Sequence, residues 1–150
     1  MLSDFVVMLA VGSLGVFVGA MLTEGFVLVP YWRALSADAF YVWYGANDKR
    51  LVAFFGPITW FAGLTTLAAA GLSLWTAHPG RWYALAAAVC ILGVVAMFFV
   101  YFERANASFS LRNMPANELR LELDRWASWH WVRCGLSLVA LTAVILAAWQ

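Results

Sequence analysis

Apolar residues gather in four runs along the chain, roughly Phe5–Val29, Leu51–Thr76, Trp82–Phe102 and Trp129–Trp149. A helix needs about 20 apolar residues to cross the hydrocarbon of a bilayer. Each run therefore predicts a transmembrane helix, and together they predict an all-α four-helix transmembrane bundle as a single domain over residues 1–150. Pro30 is expected to close the first helix. His78-Pro79-Gly80 predicts a tight turn that makes the second and third an antiparallel hairpin. Tyr31, Trp32, Trp43, Trp75, Trp82, Trp126, Trp129 and Trp149 fall near the helix ends, as an interfacial aromatic belt requires.

The polar connections predict structure of their own. Ser36 can cap a short helix from Ala37 to about Gly45. Its Phe40, Tyr41, Trp43 and Tyr44 suit the headgroup zone. Pro115 can open a helix as its first residue. Ala116–Arg125, with Arg120 and Asp124 four apart, then runs into the fourth span and carries it beyond the bilayer. Short interfacial helices in the two longer connections complete the expected fold.

Composition agrees. Of 150 residues, 65% are hydrophobic and 11% charged, with a mean hydropathy of +0.82. Soluble domains carry about a quarter charged residues, so lipid is the expected solvent and partner. A net charge of +1 without a basic run gives no sign of a nucleic-acid partner. Arg33, Lys49, Arg50, Arg104, Arg112, Arg120 and Arg125 lie in the first and third connections, and Arg133 just inside the fourth helix. Only Arg81 lies on the other side. The positive-inside rule places both longer connections in the cytoplasm and both termini outside. The first run lacks a basic segment before it and exceeds a signal-peptide core of about 7–15 residues, so it reads as a retained helix. Cys90 and Cys134 sit in apolar runs and read as small buried hydrophobes. Gly15 and Gly19 form a Gly-x-x-x-Gly step, a packing signal between helices.

Ionisable groups inside a membrane are costly and mark either ion pairs or sites. Glu24 lies about six residues before the expected end of the first helix, roughly 8–9 Å deep. Glu103 ends the third helix, and His130 and Arg133 begin the fourth. Asn47 and Asp48 precede the second. All four helices thus bring polar groups to one level near the cytoplasmic face. One reading is structural: Glu103 pairs with Arg133 or Arg104, and His130 bonds a backbone carbonyl. The other is a pocket between helices, with Glu24 or His130 exchanging protons. A metal held by Glu24, Glu103 and His130, with Cys134 one turn from His130, stays open. No Glu-x-x-His or His-x-x-x-His pair supports it, and the sequence names no cofactor. Haem on paired histidines is not expected, because His78 and His130 lie at opposite ends.

Tyr101-Phe102-Glu103-Arg104-Ala105-Asn106, followed by Arg125-Trp126 and then His130 and Arg133, resembles a pattern of the anthrone-oxygenase-like membrane family. There an Asn near the end of the third helix precedes Arg-Trp, a His four residues after the Trp, and an Arg three further on. Tyr44-Gly45, Phe55-Gly56-Pro57 and Pro30 extend the likeness over nearly the whole chain. The resemblance implies a four-helix membrane protein. In fungal members it implies oxygenation of polycyclic phenolic anthrones to quinones without a classical cofactor, while many bacterial members carry only a domain-of-unknown-function label. It points to Asn106, His130 and Arg133 as functional residues, with Glu24 and Glu103 added as neighbours on physical grounds.

These residues suggest an oxidoreductase, an oxygenase, acting on a lipophilic aromatic or quinone-like small molecule, in a bacterial inner membrane. The substrate would stack on Trp126 or Trp129 beside Glu103. Glu24 or His130 would remove a proton, and Arg133 or Asn106 would hold the resulting anion. Two other readings compete: a non-catalytic subunit of a homo-oligomer or larger complex, and a small-molecule carrier or channel.

Overall fold

The computed structural model describes residues 1–150 and is helical throughout, without a strand. It contains four long helices: α1 (Leu2–Ala34), α2 (Ala37–Trp75), α3 (Arg81–Leu111) and α4 (Ala116–Ala148). Each is long and apolar enough to cross a membrane. Each packs on its neighbours in the chain, and α4 closes back on α1. The chain is an all-α four-helix bundle, as its apolar runs predict.

The helices outrun their apolar stretches. Ser36 does cap α2, its hydroxyl accepting from Ala39 N at 3.3 Å. The helix it opens does not stop at Gly45, however; it continues unbroken to Trp75. Its 39 residues span about 58 Å at 1.5 Å per residue, roughly twice the hydrocarbon thickness. Asn47, Asp48, Lys49 and Arg50 end a hydrophobic run but not a helix, since backbone hydrogen bonding continues through them. The expected interfacial helices are therefore extensions of the spans. Pro30 does not close α1 either. A wide π turn over Glu24–Leu28, in which Val29 N bonds Glu24 O, precedes the proline, and the helix resumes to Ala34. Proline lacks an N–H, and its ring crowds the carbonyl four residues back; the looser turn accommodates both. Glu24 thus lies about 15 Å from the end of α1, farther than an ending at Pro30 implies. A second π turn, Phe98–Phe102, interrupts α3.

The core divides into two halves. One is rich in alanine, including Ala10, Ala62, Ala69, Ala87, Ala140 and Ala143, with Phe17 and Ile91. In lipid no hydrophobic force draws helices together, so close approach across small residues does. The other half is aromatic: Trp32, Phe40, Tyr41, Tyr44, Phe102, Phe109 and Trp126. Trp32 and Trp126 are buried rather than placed in an interfacial belt, and Tyr44 is buried rather than lodged among headgroups. These aromatic rings fill the wider space where the helices extend towards the charged end. Tyr41 ties this end by donating its hydroxyl proton to Met114 O at 3.0 Å. Arg33 reaches Asp124 at 2.6 Å, so Asp124 bridges α4 to α1 instead of bonding Arg120 on its own helix.

At the opposite end Asp4 meets His78 at 3.2 Å. Gly80 lies so close to the Ala147 backbone that a Cβ there would collide with it. The Gly-x-x-x-Gly step plays no such part within the chain. A Cβ added at Gly15 or Gly19 would meet nothing within 4 Å.

Candidate functional site

Between the two core halves the packing opens. On α1 the apolar cluster ends at Met21 and the aromatic one begins at Val29; Glu24 lies between them. On α4 the aromatic cluster ends at Ala127 and the apolar one begins at Cys134; His130 and Arg133 lie between them. A cavity of about 650 Å³ occupies this level, bounded mainly by α2 and α3. From Asp4 to Glu24 along α1 is about 30 Å, so the cavity sits near the far edge of a bilayer's hydrocarbon as measured from the Asp4–His78 end.

The walls are of two kinds. Val52, Phe55, Trp60, Val95, Phe98 and Phe99 make an apolar, partly lipid-exposed side. Glu24, Asn106, Trp126 and Arg133 make a polar inner wall, and Asp48, Lys49 and Ser110 line the part nearest the charged end. Ser110 donates to Asp48 Oδ2 at 3.2 Å, joining α3 to α2 there. Ligand pockets are commonly apolar clefts of about 300–1,000 Å³ with a few convergent polar groups, and this cavity has that character.

The polar wall is wired together. Trp126 Nε1 donates to Asn106 Oδ1 at 3.0 Å. An indole N–H can only donate, so it fixes the amide with its NH₂ group free. The Trp126 ring stacks on His130, with centroids 5.1 Å apart and planes 10° from parallel. His130 is completely buried and bonds Met21 O through Nε2 at 2.9 Å. A carbonyl can only accept, so Nε2 carries the proton. Nδ1 has no hydrogen-bond partner and lies 3.5 Å from Glu24 Oε2. Arg133 packs over Phe102 at 4.2 Å, and its Nη2 reaches Met21 Sδ at 3.3 Å. Its Nε is buried without a partner. Gly25 allows α1 to sit this close to α4, since a Cβ there would lie 3.2 Å from both His130 Nε2 and the Trp131 ring.

The structure brings Glu24, Asn106, Trp126 and Arg133 to one cavity, with His130 directly behind Glu24. It does not bring Glu103 or Trp129 there. Glu103 is exposed, because the π turn before it aims it outward, and it pairs with neither Arg133 nor Arg104. Trp129 stacks on Tyr101 at 5.3 Å outside the cavity, where Tyr101 also donates to Glu122 at 2.7 Å. With Glu103 turned away, no three His, Cys, Asp or Glu side chains come together as a metal site requires. Sequence reasoning missed Trp32. It lines the cavity, and its buried Nε1 has no partner. Its place beside Pro30 resembles that of an interfacial tryptophan, and only the continuation of α1 past the proline carries it into the core.

Four apolar helices, each long enough to span a bilayer, packed around a cavity with a charged inner wall define an integral membrane protein. The anthrone oxygenase family model matches residues 40–143, and the chain belongs to that family. The matched stretch holds Asn106, Trp126, His130 and Arg133, while Glu24 and Trp32 precede it. No curated protein and no solved structure matches the chain.

Proposed function

We propose that this chain is a membrane oxygenase of flat lipophilic phenols, working at the charged end of the bundle, which the positive-inside rule assigns to the cytoplasmic side of a bacterial inner membrane. The observation that carries this reading is the cavity itself: apolar and aromatic towards lipid, with Glu24, Arg133 and the Asn106 amide converging on its inner wall. A structural ion-pair network would leave no such space, and a carrier would need polar groups through the alanine-rich half as well.

In this reading a ring system slides in between α2 and α3 from the membrane. Glu24 takes a proton from the substrate. The Arg133 guanidinium and the free NH₂ of Asn106 hold the oxygen on which negative charge develops, a preorganised arrangement in a site of low dielectric. The electron-rich anion then reacts with dioxygen. For an anthrone-type substrate a ring CH₂ becomes C=O, one oxygen atom enters the product, and the other leaves as water with the two hydrogens. His130 does not line the cavity. It acts through Glu24 as a positioning residue, with Trp126 and Met21 holding its ring.

The test uses purified protein in lipid nanodiscs with an anthrone-type phenol. Oxygen uptake matched one-to-one by quinone formation is expected. Glu24→Gln should lower the rate by roughly 10²–10⁴-fold, the usual contribution of a general base, with the melting temperature retained. A rate equal to that of empty nanodiscs, or one that Glu24→Gln leaves unchanged, overturns the reading.

A further inference from the structure

Glu24 belongs to two cavities. The larger one holds the proposed reaction. The second, about 290 Å³, lies between α1 and α2. Leu51 and Phe55 line both, so these two side chains form the partition, and Glu24 is the ionisable group reached from either side. Thr23, Asn47 and Arg50 supply the other polar groups of the second cavity. Arg50 is exposed, on the part of α2 that extends towards the charged end.

The second cavity is mostly apolar, and its hydrogen bonds leave the few polar groups free to hold water beside Glu24. Thr23 gives its hydroxyl proton to Gly19 O at 2.9 Å, which leaves its oxygen as an acceptor. Asn47 gives its amide to Trp43 O at 2.9 Å, which leaves Oδ1 as an acceptor. Arg50 can only donate. A buried water needs room and two to four polar partners, and Glu24, Thr23, Asn47 and Arg50 provide them along one side of α1 and α2. The larger cavity also reaches the charged end, past Asp48, Lys49 and Ser110, but in the proposed reaction the substrate occupies that side of Glu24.

We propose that the second cavity is a water-filled path by which Glu24 exchanges protons with the aqueous phase at the charged end. Its purpose rests on Glu24 being the base proposed above; its existence does not. In each cycle the carboxylate takes one proton from the substrate on the side of the larger cavity. The carboxyl then gives one proton to water in the second cavity, and the carboxylate is restored. No electron moves along this path.

The experiment reads access, not turnover, so its failure is distinct from failure of the oxygenase reading. In nanodiscs, Glu24→Cys in a Cys90→Ala, Cys134→Ala background is treated with a charged, water-soluble methanethiosulfonate. Modification is expected. Adding Asn47→Trp, which fills the second cavity, should slow it several-fold. Adding Gly56→Leu, which fills part of the larger cavity where a Cβ meets nothing within 4 Å, should leave it unchanged. Absence of modification, insensitivity to Asn47→Trp, or block by Gly56→Leu overturns the proposal; a lipid chain occupying the second cavity gives the first of these. Should the cysteine variant fail to fold, the wild-type chain is coupled to glycine ethyl ester with a water-soluble carbodiimide. Mass gain on the Glu24 peptide that Asn47→Trp suppresses supports the path, and gain that it leaves unchanged overturns it.

Discussion

Trp126 lies flat against His130, with ring centroids 5.1 Å apart and planes 10° from parallel. The two residues are four apart on α4, so their side chains share a face and the helix alone brings them together. The stack fixes the imidazole plane, and Met21 O fixes its rotation. What remains is one unpartnered nitrogen aimed at Glu24. The arrangement turns a buried histidine into a fixed acceptor behind a carboxyl.

Substitutions at His130 separate its packing from its polar role. His130→Phe keeps a ring against Trp126 but loses the bond to Met21 and the approach to Glu24. An interhelical hydrogen bond in a membrane is worth about 0.6 kcal/mol, up to about 2, so the loss of stability should be small. His130→Ala also empties the space and should cost about 3 kcal/mol or more. Both variants should lower kcat to a similar extent with little change in KM. Equal kcat in His130→Phe and the wild type would remove the positioning role. Unfolding in detergent and steady-state kinetics in nanodiscs provide the two readouts.

The bond from Trp126 to Asn106 joins α4 to α3 across the cavity wall. Trp126→Phe keeps most of the stack on His130 but removes the donor. Asn106→Ala removes the acceptor and the NH₂ group proposed to hold the substrate anion. A double-mutant cycle on stability should give a coupling of about 0.6–1.5 kcal/mol. Turnover should fall more in Asn106→Ala than in Trp126→Phe. The reverse order would mean that the indole, not the amide, is the group substrate needs.

Much of this molecule was legible in its sequence, for definite reasons. Apolar length fixes the number of spans, and the costly polar residues Glu24, His130 and Arg133 stand out against it because lipid tolerates few of them. Helix ends were less legible. Hydrophobicity stops where the bilayer stops, whereas backbone hydrogen bonding continues through Asn47–Arg50 and past Pro30. That difference hid the burial of Trp32 and Tyr44 and put Glu24 nearer the end of its helix than it lies. Glu103 and Trp129 have the right composition and level for the site, but a π turn and a stack on Tyr101 aim them elsewhere. Apolar periodicity carries no signal for either.

Glycines on α1 should behave oppositely according to what faces them. A Cβ at Gly25 would press on His130 and Trp131 at 3.2 Å, and both are rings with little freedom to yield. Gly25→Ala should therefore destabilise the bundle by about 1–3 kcal/mol and lower turnover by displacing Glu24. Gly15→Ala meets open space and should be neutral or stabilising by up to about 1 kcal/mol, the helix preference of alanine over glycine. Thermal unfolding of the two variants side by side checks the contrast. Equal destabilisation would show that Gly15 is packed after all.

Pro30 offers a test of what holds the wide turn that carries Glu24. If the proline alone forces the π turn, replacing it should let α1 revert to regular geometry. One residue of slippage rotates the helix by about 100°, so either Glu24 would leave the cavity or Val29 and Trp32 would leave the core. The π turn in α3, however, spans Phe98–Phe102 with no proline in or beside it. Packing by itself therefore sustains such a turn in this bundle. Val29 and Trp32, 3% and 1% exposed, resist rotation of the segment beyond Glu24. Pro30→Ala should then keep the turn and restore a backbone donor. Stability should rise by about 1 kcal/mol, a part of what proline costs inside a helix, and turnover should stay at the wild-type level. A stabilised variant with lost turnover would mean instead that the proline, and not the core, sets the position of Glu24.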